Sequence, residues 1–299
     1  MQYRFNNIAN CCMCGFETSQ HKVLGKRLNQ SQGKHPQKKT GISTTICQCT
    51  NCGLIYSNPQ PIPQNIQDHY GISPEDYWKT NEFMIEKDHF KTEIETLKTI
   101  MNIKPGMRFL DVGAGLGKTM TVFSRLDFDV YGFEPSKSFY QKAITQMKIP
   151  PDKLKLAMIE EVDYPENYFD FISFDAVLEH LYNPSEAIIK AMKWLKPGGI
   201  IFIDVPSSKW LVSKIIKFYY LMIGTDYVGN LSPMHPPFHL FEFSIDSFIK
   251  HSSQNNYEIA FYQYFVCETY MPKFLDFFIK PYMKWTNTGL QLCVWLRKK

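Results

Sequence analysis

The sequence predicts an α/β protein: a doubly wound, mostly parallel sheet preceded by a small metal-stapled module. Three observations lead there. Over residues 107–205 short apolar runs alternate with segments of helical period. The first run ends in Asp111-Val112-Gly113-Ala114-Gly115-Leu116-Gly117-Lys118, a glycine-rich passage from strand to helix. Near the N-terminus, Cys11-x-x-Cys14-Gly15 and Cys49-x-x-Cys52-Gly53 are separated by 34 residues.

Bulk properties set the frame. A chain of 299 residues with 44% hydrophobic content can bury one large core plus a satellite. No apolar run approaches the roughly 20 residues of a membrane span, and residues 1–10 lack the apolar stretch of a secretory signal, so a cytoplasmic protein is expected. In that setting eight cysteines read as metal ligands or buried thiols rather than disulfides. The net charge is +4, yet residues 1–60 carry seven Lys/Arg against Glu17 alone. The basic excess therefore belongs to the N-terminal segment.

That segment is expected to be a zinc ribbon over residues 1–58. Two Cys-x-x-Cys turns aim four thiolates, from Cys11, Cys14, Cys49 and Cys52, at one tetrahedral ion, with the following glycines relieving the tight backbone. Cys12 and Cys47 lie close enough in sequence to exchange roles with those ligands. Residues 20–45 read as a polar, mobile loop, and the ion as the main source of the module's stability. A basic loop can meet nucleic acid, but apart from His21 and His35 this one has no ring on which a base would stack.

Residues 59–105 form a linker and a covering helix. Ser57-Asn58-Pro59-Gln60-Pro61-Ile62-Pro63 is a stiff connector. Residues 82–101 place Phe83, Phe90, Ile94, Leu97 and Met101 on one helical face, and Lys104-Pro105-Gly106 ends it.

The core follows over residues 106–265. Strand one, residues 107–111, feeds the glycine turn and a helix carrying Met120, Phe123 and Leu126. Alternate glycines let the backbone take positive φ and let a polar ligand approach it, near the unpaired N–H groups of the helix start. The dinucleotide fingerprint fails because Lys118 stands where its last glycine belongs, and the Walker pattern fails because Val112 stands where its first belongs. Strand two, residues 130–133, ends in Glu134, 19 residues past Gly115, where a carboxylate can accept from both hydroxyls of a ribose. Ser136 caps a helix with Phe139, Ala143 and Met147 inward. Strands three and four are read at 154–158 and 169–174. Asn183-Pro184 opens a helix carrying Ile188, Ala191 and Leu195, and strand five spans 200–204. Ligands of such sheets sit beyond the carboxyl ends of the strands, so the ends of strands one, two and four should share a crevice.

The pattern Asp-x-Gly-x-Gly-x-Gly, with Glu134, Phe169-Asp170, Val177-Leu178-Glu179-His180 and Leu195-Lys196-Pro197-Gly198-Gly199, resembles the class I S-adenosylmethionine-dependent methyltransferases over about residues 105–206. The resemblance implies a Rossmann-like sheet with an antiparallel last strand. It also implies that Asp111 orients the turn, that Gly113, Gly115 and Gly117 admit the methionine and ribose portions of S-adenosylmethionine, and that Glu134 holds the ribose. Ile159 and Glu160 would meet the adenine, and Asp175 would face the methionine end. In ubiquinone-type O-methyltransferases a Glu-x-x-Glu-His cluster binds a divalent metal where this chain has Ala176, Glu179 and His180, so its first glutamate is missing.

Transfer of a sulfonium methyl to a hydroxyl gains from a base. The candidates are His180, beside Glu179, and His239 in Pro236-Pro237-Phe238-His239, with His239 preferred. Residues 207–223 and 270–285 are amphipathic or aromatic-rich insertions that serve as a substrate lid, a dimer contact or a membrane-surface helix. Tyr70, Tyr77 and Trp78 are further residues available to close over the site. The insertion 207–240 belongs to the core, and residues 266–299 hold the aromatic insertion and final strand. With the ribbon and the His-Pro-Pro-x-His loop, the chain is similar to methyltransferases of bacterial polysaccharide and sugar modification, which implies a sugar hydroxyl as acceptor. The rivals are a ribosomal RNA base methyltransferase, in which the ribbon contacts RNA, and a non-catalytic S-adenosylmethionine-binding protein.

Overall fold

Seven strands form the central sheet of the structure, a computed structural model that describes residues 2–65, 67–70, 83–267, 269 and 271–299. Their order is β12-β13-β10-β9-β6-β7-β8. Here β6 is Arg108–Val112, β7 Asp129–Glu134, β8 Leu154–Leu156, β9 Phe169–Asp175, β10 Leu195–Pro206, β12 Tyr257–Phe265 and β13 Gln291–Lys298. The pairs from β8 across to β10 are parallel, and β13 runs antiparallel to both β10 and β12. The Rossmann-like sheet with an antiparallel last strand is thus present.

The central strands β6, β9 and β10 are buried on both faces, as parallel strands under helices must be. Along β6, Phe109 points into a layer with Phe90, Phe123, Phe171 and Trp295, and Leu110 into the opposite layer with Ile172, Ile188 and Leu195. The helices follow the expected signals. Ser136 Oγ accepts from Phe139 N to start Lys137–Thr145, and Asn183 Oδ1 accepts from Glu186 N to start Pro184–Trp194. The covering helix is shorter than its periodicity predicted. It runs over Lys91–Ile100, burying Ile94 and Leu97. The side chain of Tyr70, and all of Tyr77 and Trp78, lie outside the described residues.

The N-terminal module departs most from expectation. Instead of a mobile loop over residues 20–45, Lys22–Leu28 (β2) pairs with Ser43–Gln48 (β3), which pairs with Ile55–Ser57 (β4). The connector is likewise part of a ladder, since Gln60–Pro63 (β5) pairs with Tyr3–Asn6 (β1). The fourth strand of the module's sheet is Phe241–Glu242 (β11), supplied from the far end of the core and paired to β4. The insertion 207–240 also leans on the module. The hydroxyls of Tyr219 and Tyr220 donate to the carbonyls of Lys34 and Gly33, and Lys26 exchanges main-chain hydrogen bonds with Asp226 and Val228. These pairings rest on contacts about 200 residues apart in sequence, which no local pattern announces.

Candidate active site

The glycine turn joins β6 to the helix Lys118–Ser124. Gly113 has φ +66°, and a Cβ there would lie 2.7 Å from Val177 Cγ2, so the position admits no side chain without displacement. Glu134, at the end of the neighbouring strand, pins the turn: its Oε2 accepts from Gly115 N at 2.8 Å and its Oε1 from Ser136 N at 2.7 Å. Each oxygen keeps a second lone pair for a ligand. Burial pushes this carboxyl up to about 7. Asp111 sits behind the turn, where Oδ1 accepts from Ser173 Oγ at 2.6 Å, and burial raises it to about 7 as well.

A cavity of about 530 Å³ opens beyond these strand ends. Gly113, Gly115, Glu134, Ile159, Glu160 and Asp175 all line it. Asp111 and Gly117 are not among its lining residues; a Cβ on Gly117 would meet Ile149 Cγ1 at 2.6 Å, so that glycine serves the packing of the turn. Asp175 is half-buried and raised to about 6 by desolvation, with Glu93 adding a smaller push. Sequence reasoning missed His69 and His89 in the cavity wall. His89 Nε2 lies 3.2 Å from Thr119 Oγ1, and the His69 ring stacks on Phe238 at 4.1 Å. Neither stands in a motif. The donor and acceptor set fits S-adenosylmethionine: a buried carboxylate for the ribose, a bare main-chain turn, and Met158 and Ile159 for an adenine.

The histidines singled out from the sequence come together. After β9, the left-handed Ala176 (φ 53°) leads into the short turn Leu178–His180. Glu179 Oε1 lies 3.9 Å from His180 Nε2 and 3.8 Å from His239 Nε2, and Glu179 Oε2 is buried with no hydrogen-bond partner. The two imidazoles meet edge to face with centroids 4.9 Å apart. Two anchors hold the arrangement: His180 Nδ1 lies 3.3 Å from Phe238 O, and Leu240 N donates to Glu179 O at 2.8 Å. Burial pushes Glu179 well up, His180 down to about 4 and His239 down to about 3, so all three favour their uncharged forms. Only His180 of the three lines the cavity, with Phe238; His239 stands behind it. Glu179, His180 and His239 each offer a ligand atom within 4.8 Å of the others, so the set can also hold a cation despite Ala176.

The four cysteines form a second buried cluster. Cys11 Sγ and Cys52 Sγ lie 3.5 Å apart, as do Cys14 Sγ and Cys49 Sγ, and all four sulfurs fall within 4.8 Å of one another. Sulfurs at about 2.3 Å from one tetrahedral zinc would be spaced much like this. The Cys52 thiol hydrogen-bonds to Cys11 and draws it down to about 6, while burial pushes Cys49 up to about 11. Four such thiols cannot ionise together without a cation among them. Cys12 and Cys47 stay outside the cluster.

The family model described as "Methyltransferase domain" matches residues 87–259. A ubiquinone biosynthesis O-methyltransferase of Bradyrhizobium diazoefficiens is 30% identical over 139 residues, 44% of this chain and 51% of that protein. An uncharacterized methyltransferase of Schizosaccharomyces pombe is 31% identical over 130 residues, 39% of this chain and 47% of that protein. The chain thus spans about half the length of the curated relatives it matches. Among solved structures, the [4+2]-cyclase SpnF superposes with a TM-score of 0.49 at 16% identity, covering 74% of this chain and 85% of that one. An S-adenosylmethionine-dependent methyltransferase of Mesorhizobium loti gives 0.45 at 12% identity, covering 69% and 97%. With more than half of its length inside the family match, and with the sheet order, glycine turn and strand-end carboxylate of the class I S-adenosylmethionine-dependent fold, the chain belongs to the methyltransferase-domain family.

Proposed function

We propose that the protein transfers a methyl group from S-adenosylmethionine to a hydroxyl of a small molecule, with a sugar hydroxyl the first acceptor to test. The observation that carries this reading is that Glu134 and His180 line one cavity, with Glu179 and His239 packed behind His180. Bound there, the cofactor supplies an electrophilic methyl on a sulfonium. Glu134, the Gly113–Gly115 backbone and Ile159 would hold it. His180 Nε2, on the cavity wall, would take the proton of the acceptor hydroxyl. Nδ1 of His180, held by the Phe238 carbonyl, fixes the tautomer that leaves Nε2 free. Glu179 and His239 stand behind His180 to share the charge that then appears.

Relatives named as ubiquinone biosynthesis O-methyltransferases also support a small acceptor. Against an RNA substrate, three of the seven basic residues of residues 1–60 have partners within the protein. Lys26 pairs with Asp226 at 3.1 Å, Arg27 donates to Gln32 and to the Val228 carbonyl, and Lys39 donates to the Ser31 carbonyl. A structural zinc on Cys11, Cys14, Cys49 and Cys52, a cytoplasmic setting and a membrane-peripheral position with a lipid-linked sugar belong to the same reading. Methyl transfer from labelled cofactor is the test, offered separately to nucleotide sugars, phenols and unmodified ribosomal RNA. Label in the sugar pool is the expected result. Label in phenols would move the acceptor within the small-molecule class, and label in RNA would overturn the reading.

A further inference from the structure

The helix Lys273–Thr286, between β12 and β13, is inverted relative to an ordinary surface helix. Met283 is its one buried residue. At 3.6 residues per turn, Phe274, Phe277, Phe278, Tyr282 and Trp285 fall on one stripe on the side away from Met283, and all five are exposed, from 49% to 81%. Lys273, Lys280 and Lys284 follow one another along a single edge of that stripe. Asp276, the helix's one acid, is occupied by Lys280 at 3.4 Å. Five large rings facing outwards on four turns of helix mark an interaction surface.

We propose that this helix docks on an anionic lipid bilayer, its rings at the boundary of headgroups and acyl chains and its lysines against the anionic headgroups. Phe, Tyr and Trp on one face beside a row of lysines is the composition that such an interface favours, because the rings are apolar while the Tyr and Trp tips stay hydrated. Fourteen residues are too short to cross a bilayer, and among the described residues no helix is long and apolar enough to do so. A second copy of the chain fits less well. It would bring a second set of three lysines to the same surface, met only by an Asp276 that is already paired.

The helix Leu211–Met222, whose Leu211 N donates to Thr288 O just past the end of the docking helix, also exposes Phe218, Leu221 and Met222 and carries Lys214 and Lys217. This inference deepens the membrane-peripheral part of the proposed function, and its failure would leave the methyl-transfer assignment untouched.

The test is co-sedimentation of the whole protein with vesicles of phosphatidylcholine alone and of phosphatidylcholine mixed with phosphatidylglycerol. Binding to the mixed vesicles is expected, weakened about tenfold or more without the anionic lipid or in high salt. Tryptophan emission should shift to the blue on binding, and Trp285→Phe should remove most of that shift. Phe277→Asp with Trp285→Asp should abolish binding while S-adenosylmethionine affinity stays at the wild-type level, which shows that the fold is intact. Replacing Lys273, Lys280 and Lys284 by Gln should remove the dependence on anionic lipid. Wild-type protein that ignores anionic vesicles would overturn the proposal. So would a concentration-dependent dimer lost in the aspartate double variant, which would make the stripe a self-association surface.

Discussion

Ser244 Oγ donates to the carbonyl of Cys52 at 2.6 Å, joining residues 192 positions apart. Ser244 is also the N-cap of the helix Ile245–Ser252, and it follows β11, which completes the sheet of the cysteine module. The second cysteine turn is thereby tied to the segment that carries His239.

Metal removal should therefore be felt at the histidines. Cys11→Ser with Cys14→Ser is expected to release the zinc and to lower methyl transfer at least tenfold. S-adenosylmethionine affinity should change much less, because Glu134 and the glycine turn lie on other elements. Metal analysis, calorimetry and a transfer assay on the same preparation check this. Wild-type protein that carries no zinc after gentle purification would remove the premise.

The two histidines should separate by role. His180→Ala is expected to reduce turnover about 100-fold or more, the range of a general base. His239→Ala should cost less, since His239 stands behind His180. Neither change should weaken cofactor binding more than a few-fold. A fully active His180→Ala enzyme would move the base elsewhere.

Glu134→Gln keeps the shape of the side chain but leaves one oxygen in place of two. Loss of a charge-assisted pair to the ribose is expected to weaken cofactor binding about tenfold or more. Titration calorimetry measures it, and an unchanged affinity would withdraw the ribose assignment. Zinc content should stay constant in this variant.

Stability should fall with rising pH above neutrality. Burial raises Asp111, Glu134 and Glu242 to about 7 and Asp204 to about 8. A carboxyl raised in the fold stabilises fully below its unfolded pKa and loses that contribution as pH climbs through the folded value. The buried histidines His69, His180, His239 and His251, lowered to between about 3 and about 4, act oppositely, but only below the unfolded value near 6.5. Between pH 6.5 and 8.5 the carboxyls still lose stability as they pass their folded values, each contributing a slope of at most about 1.4 kcal/mol per pH unit, while the lowered Cys11 thiol opposes them unless a metal holds it. The melting temperature of cofactor-free protein should drop over this window. Glu242→Gln should flatten the slope while leaving the other carboxyls in place; an unchanged slope would contradict the assignment.

The central sheet was legible because its parallel strands β6, β7, β9 and β10 are apolar runs alternating with helical segments, and the strand ends carried Asp111, Glu134 and Asp175 in readable positions. Three things were hidden. The hairpin of β2 and β3 is rich in Lys, Arg, Thr and Gln, and its buried residues, Gly25, Leu28, Thr44, Ile46 and Cys47, keep no regular alternation. His69 and His89 reach the cavity through tertiary packing with no local signature. The sequence offered His180 and His239 as competing bases, whereas folding places them side by side on one carboxyl, held by main-chain contacts of Phe238 and Leu240 just before β11.

That pairing also decides what can be cut away. A protein trimmed to begin after β5 would leave Phe241 and Glu242 as a bare edge, with the apolar rings of Phe241 and Phe243 stripped of Tyr56 and its neighbours. The cysteine module is thus no detachable tag, and it cannot be exchanged between relatives without the histidine loop that grows from its sheet.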